Sequence, residues 1–270
     1  MRGVSFVRIE HPRPGVALVT LNRPERMNAM AFDVMIPFKE ALEEVSHDND
    51  VRVVVVTGAG DGFCSGADLE DPGRLPRIDG LTRTSIARRA LELLDDVVLA
   101  LRRMHQPVLA AVNGPAIGGG FCLAMAMDVR IASTRAVFRA AGISNGLTAS
   151  ELGVSYLLPR AIGSSRAFDI MLSGRDVAAD EAERIGLVSQ TVAPEELLDT
   201  CYARAERMIA YSRVGLEVTK RLLWSSLDAS SLSAHMDHEG HAQLYVRLTT
   251  ENFEEAVRAR KERRPAVFRD

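Results

Sequence analysis

The chain of 270 residues lacks the features that mark several large classes of protein. It has no block of basic residues and a formal net charge of −3, so no nucleic-acid partner is expected. No apolar stretch is long enough to span a bilayer, and the start, MRGVSFVRIEHPRPG, lacks the apolar core of a signal peptide. We therefore expect no membrane association and a cytoplasmic location.

Cysteine is also scarce. Cys64, Cys122 and Cys201 are odd in number and widely spaced, which does not fit a disulfide framework. They are the wrong set for a zinc site as well. We expect free thiols in a reducing compartment and no metal.

Two glycine-rich segments are present, but neither has the spacing of a nucleotide-binding loop. Gly58, Gly60 and Gly62 do not form G-x-G-x-x-G, and the glycines from Gly114 to Gly120 do not either. The phosphate loop G-x-x-x-x-G-K-[ST] is absent. For each segment alone, a tight strand-to-helix turn without a ligand remains open.

The second glycine segment lies in the stretch around which the chain is organised, 107–128. An apolar run predicts a buried strand over Val108–Val112, the glycines Gly118 to Gly120 follow, and an apolar helix is expected from about Phe121. The first N–H groups of a helix have no partner within it, and the helix dipole adds partial positive charge there. This site therefore suits a group that carries or develops negative charge.

Hydrophobic periodicity elsewhere predicts alternating strands and helices, hence an α/β fold with parallel strands. The core is predicted over 1–194, and a helical region of the same fold over 195–270. Predicted strands cover 4–9, 16–21, 51–57, 129–132 and 187–192, and predicted helices cover 31–45, 82–105, 152–159, 164–172, 178–185 and most of the chain after 194.

Together the two glycine segments indicate more than either does alone. Both follow apolar strands, and both can offer backbone N–H groups at the carboxyl ends of neighbouring parallel strands, where open α/β sheets bind ligands. Two such donors that converge on one oxygen form an oxyanion hole.

Several segments, in this order, resemble the crotonase family, the enoyl-CoA hydratase/isomerase superfamily. The resemblance covers nearly the whole chain. The segments that carry it are Leu21–Pro24, Phe63–Leu69, Ala111–Gly120 and the C-terminal Phe253–Ala256 and Arg263–Pro265.

The resemblance implies a crotonase-like spiral of ββα units with a C-terminal helical trimerisation region, and a homotrimer or dimer of trimers. It implies an acyl-CoA thioester as substrate and no cofactor apart from the CoA that the substrate carries. The oxyanion hole would be formed by the N–H groups of Ala67 and Gly119, which would hold the thioester carbonyl and stabilise an enolate.

The resemblance also implies a set of CoA-binding residues. Arg260 and Arg263 would contact CoA from a neighbouring subunit, although Arg260 replaces a common aromatic residue. For the arginines a solvated surface position is the alternative, and Asp68 suits loop ordering better than acid catalysis. The residues at CoA-lining positions of the first loop are Arg26, Ser65, Ala67, Asp68 and Leu69.

The acids of the well-known hydratases are missing. Where such an enzyme has its two glutamates, this chain has Cys122 and Gly142. Glycine cannot transfer a proton. A thiol could do so at a helix N-terminus, but a small packing residue is the better interpretation of Cys122.

Glu151 is the carboxylate that remains near these positions. Thr148-x-x-Glu151 ahead of an apolar run is typical of a capping box, which would make Glu151 a helix cap. The alternative is a catalytic base, because Glu151 precedes Tyr156–Arg160 at the spacing seen in peroxisomal-type enoyl-CoA isomerases. One carboxylate suffices for isomerisation, whereas hydration usually needs a second group. The sequence thus favours an isomerase, with a non-catalytic acyl-CoA-binding homologue as the alternative.

Overall fold

The computed structural model describes residues 5–269, so Val4 at the start of the predicted first strand lies outside it. The strands are β1 (Val7–Arg13), β2 (Val16–Leu21), β3 (Val53–Gly58), β4 (Val108–Val112), β5 (Ala116–Ile117), β6 (Val129–Ser133), β7 (Val137–Arg139), β8 (Val177–Ala178) and β9 (Gln190–Val192). Six of them form one sheet in the order β1-β2-β3-β4-β6-β9, with every neighbouring pair parallel except the antiparallel hairpin of β1 and β2. The predicted parallel sheet is therefore present.

The remaining strands form a smaller sheet in the order β5-β7-β8. Strand β5 follows β4 and strand β7 follows β6. These two short strands pair in parallel, so the segments after successive strands of the large sheet run alongside each other. Single bridges extend this pattern, because Cys64 after β3 pairs with Ala116, and Met30 after β2 pairs with Ala67. Successive turns of a spiral are thereby stacked on one another.

Ten helices are present within residues 5–269, besides short 3₁₀ turns. No helix in this part of the chain is both long and apolar enough to cross a membrane. The helices are α1 (Phe32–His47), α2 (Arg83–Arg103), α3 (Gly119–Ala126), α4 (Val154–Ile162), α5 (Ser164–Ser173), α6 (Ala179–Arg184), α7 (Leu197–Ile209), α8 (Arg213–Ser226), α9 (Leu232–Thr249) and α10 (Asn252–Glu262).

The central strands β2, β3 and β4 of the large sheet are buried on both faces, as the valine run of β3 predicts. Val54 and Val56 belong to the main core cluster, which includes side chains of α1, α2 and α3. Val53 and Val55 point to the opposite face and belong to a second cluster completed by α7. Strand alternation thus divides one apolar run between two cores.

The helices after α7 leave this core. Lys220 is the one buried residue of α8, and α9 has none. Lys220 fastens α8 to the spiral, because its Nζ lies 2.9 Å from Asp128 Oδ2 and donates to the carbonyl of Gln106 at 2.8 Å. Asp128 also accepts from the indole N–H of Trp224 and from the backbone N–H of Val108.

The structure corrects several predicted boundaries. Helix α3 begins at Gly119, two residues before the predicted start at Phe121, and α4 begins at Val154 instead of residue 152. Leu91, which helical spacing places on or near the apolar stripe of α2, is 61% exposed. The three strands of the small sheet were not predicted, since none is longer than three residues and such runs carry little periodicity.

Candidate active site

The two glycine segments lie side by side because they follow β3 and β4, which are neighbours in the large sheet. A Cβ atom placed on Gly66 would lie 3.3 Å from the backbone nitrogen of Gly119 and 2.7 Å from the carbonyl oxygen of Ile117. The residue before Ala67 is therefore in direct contact with the start of helix α3. This approach leaves no room for a side chain at position 66.

Glycine is required at the start of α3 for two different reasons. Gly118 has φ +52° and ψ −120°, a conformation that other residues rarely adopt. Gly120 has ordinary helical geometry, but a Cβ there would lie 2.1 Å from the carbonyl oxygen of Cys64. Backbone conformation thus requires glycine at position 118, and close packing requires it at position 120.

The N–H groups of Ala67 and Gly119 donate no hydrogen bond to any residue between 5 and 269. Around Ala67, the hydrogen bonds of its bridge to Met30 use the carbonyl of Gly66 and the N–H of Asp68 instead. Gly119 is the first residue of α3, so its N–H has no partner within the helix. Two free donors therefore belong to neighbouring turns of the spiral.

Glu151 brings a carboxylate to this place. A Cβ on Gly118 would lie 3.4 Å from Glu151 Oε1, 3.7 Å from the Cβ of Ala141 and 4.0 Å from the Cα of Gly66. The acid therefore adjoins the residue that directly precedes Gly119. Residues from three turns of the spiral, far apart in sequence, converge here.

The predicted capping box does not form. The hydroxyl of Thr148 donates to the carbonyl oxygen of Ser150 at 3.0 Å, and α4 begins after Gly153 with no side-chain cap. Leu152 and Gly153 both have positive φ, +45° and +81°. This turn separates Glu151 from the helix, so the interpretation of its side chain as a cap is wrong.

Burial raises the pKa of the Glu151 carboxyl group, although the residue as a whole is exposed. Among the described residues no side chain or backbone N–H forms a hydrogen bond or ion pair with this carboxylate that would offset its desolvation. A carboxylate held this way is a stronger base than one in water, which suits removal of a weakly acidic proton.

Cys122 and Gly142, at the positions of the two missing acids, both lie in tightly packed surroundings. Cys122 is 1% exposed, and its thiol donates to the carbonyl of Glu151 at 3.5 Å. Desolvation and the nearby Glu151 carboxylate raise the pKa of Cys122 well above its usual value, so the thiol stays neutral. A Cβ on Gly142 would lie 2.0 Å from the carbonyl oxygen of Thr148, so this loop has no room for a glutamate side chain.

Asp68 orders the first loop. Its carboxylate forms ion pairs with Arg23 at 2.9 Å and Arg26 at 2.8 Å, and it accepts from the N–H groups of Glu70 and Asp71. The hydrogen bond from Arg26 is the main cause of a pKa well below the usual range. The ionised form of Asp68 is thus favoured, and the residue acts as a loop anchor.

The other predicted CoA-binding residues fall into two groups. Ser65 donates to the carbonyl of Arg26 at 3.4 Å, and Leu69 is 78% exposed on the same loop. Arg260 and Arg263 are exposed at the C-terminal end of α10, where Arg263 ends the helix at φ +54°. The structure therefore gathers the first group around Ala67 and leaves the second on the C-terminal helices.

Sequence reasoning missed two apolar residues of the site. A Cβ on Gly119 would lie 2.3 Å from the sulfur of Met30 and 3.5 Å from Cδ1 of Leu152. No spacing or periodicity singles out either residue, because each reaches Gly119 from a different turn of the spiral.

Comparison with known proteins gives consistent matches. Residues 12–270 match the family described as enoyl-CoA hydratase/isomerase. A probable enoyl-CoA hydratase from Mycobacterium tuberculosis strain H37Rv is 69% identical, over 99% of this chain and 94% of its own length.

Two solved structures are similar over most of their length. A probable enoyl-CoA hydratase/isomerase from Mycobacterium abscessus is 69% identical with a TM-score of 0.95, covering 98% of this chain and 99% of the other. A structure described as a monofunctional enoyl-CoA isomerase from M. smegmatis is 62% identical with a TM-score of 0.74, covering 86% of this chain and 99% of the other. These matches confirm the predicted fold class, including its helical C-terminal region.

Proposed function

Because the chain belongs to the enoyl-CoA hydratase/isomerase family and is an enzyme of that family, we propose that it isomerises the double bond of an enoyl-CoA thioester. The N–H groups of Ala67 and Gly119 hold the thioester oxygen. Glu151 removes a proton from the α carbon of a 3-enoyl thioester and returns it to the γ carbon, which yields the 2-enoyl thioester. No atom is gained or lost, and Glu151 ends the cycle ionised.

The two N–H donors supply the electrostatic part of this reaction. Negative charge moves onto the thioester oxygen as the α proton leaves, and fixed donors stabilise it without reorganising. Removal of one such donor typically costs about 2.7–4 kcal/mol of activation free energy. The family resemblance also assigns CoA to the loop formed by Arg26, Ser65, Asp68 and Leu69, with Arg260 and Arg263 contributed by another subunit.

The observation that carries the proposal is the position of Glu151 Oε1, 3.4 Å from where a Cβ on Gly118 would stand. Cys122 stays neutral and Gly142 has no side chain, so neither position supplies a second group to activate water. A relative described as a monofunctional isomerase, 62% identical, supports the same choice.

A steady-state assay of Glu151→Gln with 3-enoyl-CoA and 2-enoyl-CoA substrates tests this proposal. We expect the kcat of isomerisation to fall by about 10²–10⁴-fold, the usual contribution of a general base. Glu44→Gln, on the exposed side of α1, is the matched control and should keep its activity.

Three results would contradict the proposal. Unchanged turnover in Glu151→Gln would exclude Glu151 as the base. Faster hydration than isomerisation by the wild type would reverse the reaction class. Tight binding of acyl-CoA without turnover would favour the non-catalytic homologue.

We also propose a homotrimer or dimer of trimers. Large apolar side chains of α9 are exposed in the single chain, and a second copy would cover them. They are Leu232, Met236, Leu244, Tyr245 and Leu248. Light scattering should give a mass three or six times that of one chain, and a monomeric mass would contradict the proposal.

The three free, buried cysteines support a reducing, cytoplasmic compartment.

A further inference from the structure

We infer that Met30 is a positioning residue of the oxyanion hole, which fixes the separation of the Ala67 and Gly119 N–H groups. This inference rests on the proposed function, since it concerns how those two donors are held. It assigns the residue no contact with the reacting atoms.

The backbone of Met30 is hydrogen-bonded to the loop that carries Ala67, one of the two arms of the oxyanion hole; the start of α3 at Gly119 is the other. The N–H of Met30 donates to the carbonyl of Gly66 at 2.7 Å, and its carbonyl accepts from the N–H of Asp68 at 3.5 Å. These two bonds flank Ala67 on either side, and they leave its own N–H free on the opposite edge. A shift of Met30 therefore moves the Ala67 donor with it.

The side chain of Met30 supports the other arm. Its sulfur and Cε would lie 2.3 Å and 3.3 Å from a Cβ on Gly119. Gly119 has no positive φ, and the side-chain atoms within 4 Å of a Cβ there belong to Met30 and Leu152, so the thioether packs against the backbone of Gly119. Met30 is 6% exposed, so the thioether is packed within the protein.

Met30 is thus one residue that touches both arms, by hydrogen bonds on one side and by packing on the other. Met30, Ala67 and Gly119 lie in the segments that follow β2, β3 and β4 respectively, and these strands are consecutive in the large sheet. An unbranched, flexible thioether can fill an irregular gap of this kind. Donors act best at 2.7–3.1 Å from the developing oxyanion, so a shift of a few tenths of an ångström weakens stabilisation.

The readout that tests this role is the polarisation of a bound thioester. A chromophoric ligand, an enoyl-CoA with an electron-rich aryl group conjugated to the carbonyl, shifts its absorption to longer wavelength when donors polarise the oxygen. We expect Met30→Ala to lose at least half of the wild-type shift at saturating ligand. We also expect its kcat for isomerisation to fall by about tenfold to a hundredfold, with KM changed less than about threefold, because the donors act mainly in the transition state.

Three further variants separate positioning from packing. Met35→Ala removes a buried methionine of α1, 0% exposed against 6% for Met30, and should keep both the shift and kcat. Met30→Leu retains the bulk and should restore most of both. Met30→Val keeps the core filled near the backbone but withdraws the tip from Gly119, so it should reproduce the loss even if Met30→Ala does not fold.

The inference is overturned if Met30→Ala or Met30→Val shows the full wild-type shift, or if Met35→Ala loses as much. A wild type that binds the chromophore without any shift would instead refute the oxyanion hole itself. The first result leaves the proposed function standing and the second does not, so the two failures are distinguishable.

Discussion

Two glutamates, one in each part of the molecule, are held in opposite electrostatic surroundings. Glu151 of the spiral is exposed as a residue, yet desolvation raises the pKa of its carboxyl group. Glu255 of α10 is 8% exposed, yet its pKa lies far below the usual range, mainly because Arg264 donates to it, with the Val267 N–H and Arg258 adding to the effect. The direction of each pKa shift therefore follows from whether partners offset the desolvation of the carboxylate, and not from how exposed the whole residue is.

The same contrast extends to the two regions as wholes. The spiral, with α7, buries an apolar core, and around Gly119 it brings together two N–H groups and a carboxylate that have no hydrogen-bond partner among residues 5–269. Helices α8 to α10 bury almost nothing apolar within the chain and hold themselves with charge, as in the contacts of Lys220 and Glu255. Unpaired polar groups in the first region indicate chemistry, and uncovered apolar groups in the second indicate association.

The largest expected effect concerns the ion pair of Lys220 and Asp128, which joins α8 to the spiral. Lys220→Met would leave Asp128 partly buried without its cation, and breaking a buried pair in this way typically costs about 3–5 kcal/mol of unfolding free energy. Lys39→Met removes two surface ion pairs instead, with Glu43 and Asp96, for which about 1 kcal/mol or less each is expected. Chemical denaturation of both variants measures the difference. Equal losses would show that the joint contributes no more than a surface contact.

The same substitution of glycine by alanine should have opposite effects in the two regions. In Gly120→Ala the new methyl group meets the Cys64 carbonyl at 2.1 Å, so the loops must separate, at a cost of about 1–3 kcal/mol in stability. In Gly240→Ala of α9 the methyl group meets nothing within 4 Å in the single chain, so unfolding of the dissociated chain should show the gain of about 0.8–1 kcal/mol that alanine gives a helix.

Thermal unfolding and isomerase assays of the two alanine variants check this pair. We expect Gly120→Ala to lose about a hundredfold in kcat, the effect of removing an oxyanion donor. Gly240→Ala should keep wild-type turnover. Retained activity in Gly120→Ala would show that contact between the loops does not set the donors.

As the pH falls, activity, which depends on Glu151, should be lost before the stability contributed by Glu255. The raised pKa of Glu151 means that the base is protonated, and activity lost by about tenfold per pH unit, while the pH is still above the ordinary value of 4.5. The depressed pKa of Glu255 means that its stabilising contribution is fully present above 4.5 and is lost as the pH falls from there through the lower folded value.

A pH profile of kcat/KM, measured beside far-UV circular dichroism, tests that order. Loss of activity should precede loss of helix. An acid limb centred at or below 4.5 would contradict the desolvated environment of Glu151.

The smallest effect concerns the C-terminal tail. Glu255→Gln weakens the hydrogen bonds from Arg264 and from the Val267 N–H, at 2.6 and 2.9 Å, so exchange of the Val267 amide should rise several-fold. Turnover per active site should change much less than in Glu151→Gln. Unchanged amide exchange would mean that other contacts hold the tail.

Much of the fold was predictable because its strands and long helices carry strong periodic signals. The valine run of β3 and the amphipathic α2 lie where expected, and Thr82 caps α2 through the N–H of Ser85. The small sheet escaped prediction because strands of two or three residues have no measurable period. The capping box at Thr148 failed because Leu152 and Gly153 adopt positive φ, a tertiary choice that local propensity does not reveal.

By itself the sequence determined the α/β class, the glycine run before α3 and the absence of both hydratase glutamates, since each depends on residue identity and local pattern. Only the tertiary structure decided which groups meet. Met30, Ala67, Gly119 and Glu151 are separated by up to 121 positions yet converge because the spiral stacks its turns. Contacts across turns leave no periodic trace in the chain, so the place of the acid and its state of charge follow from packing and desolvation.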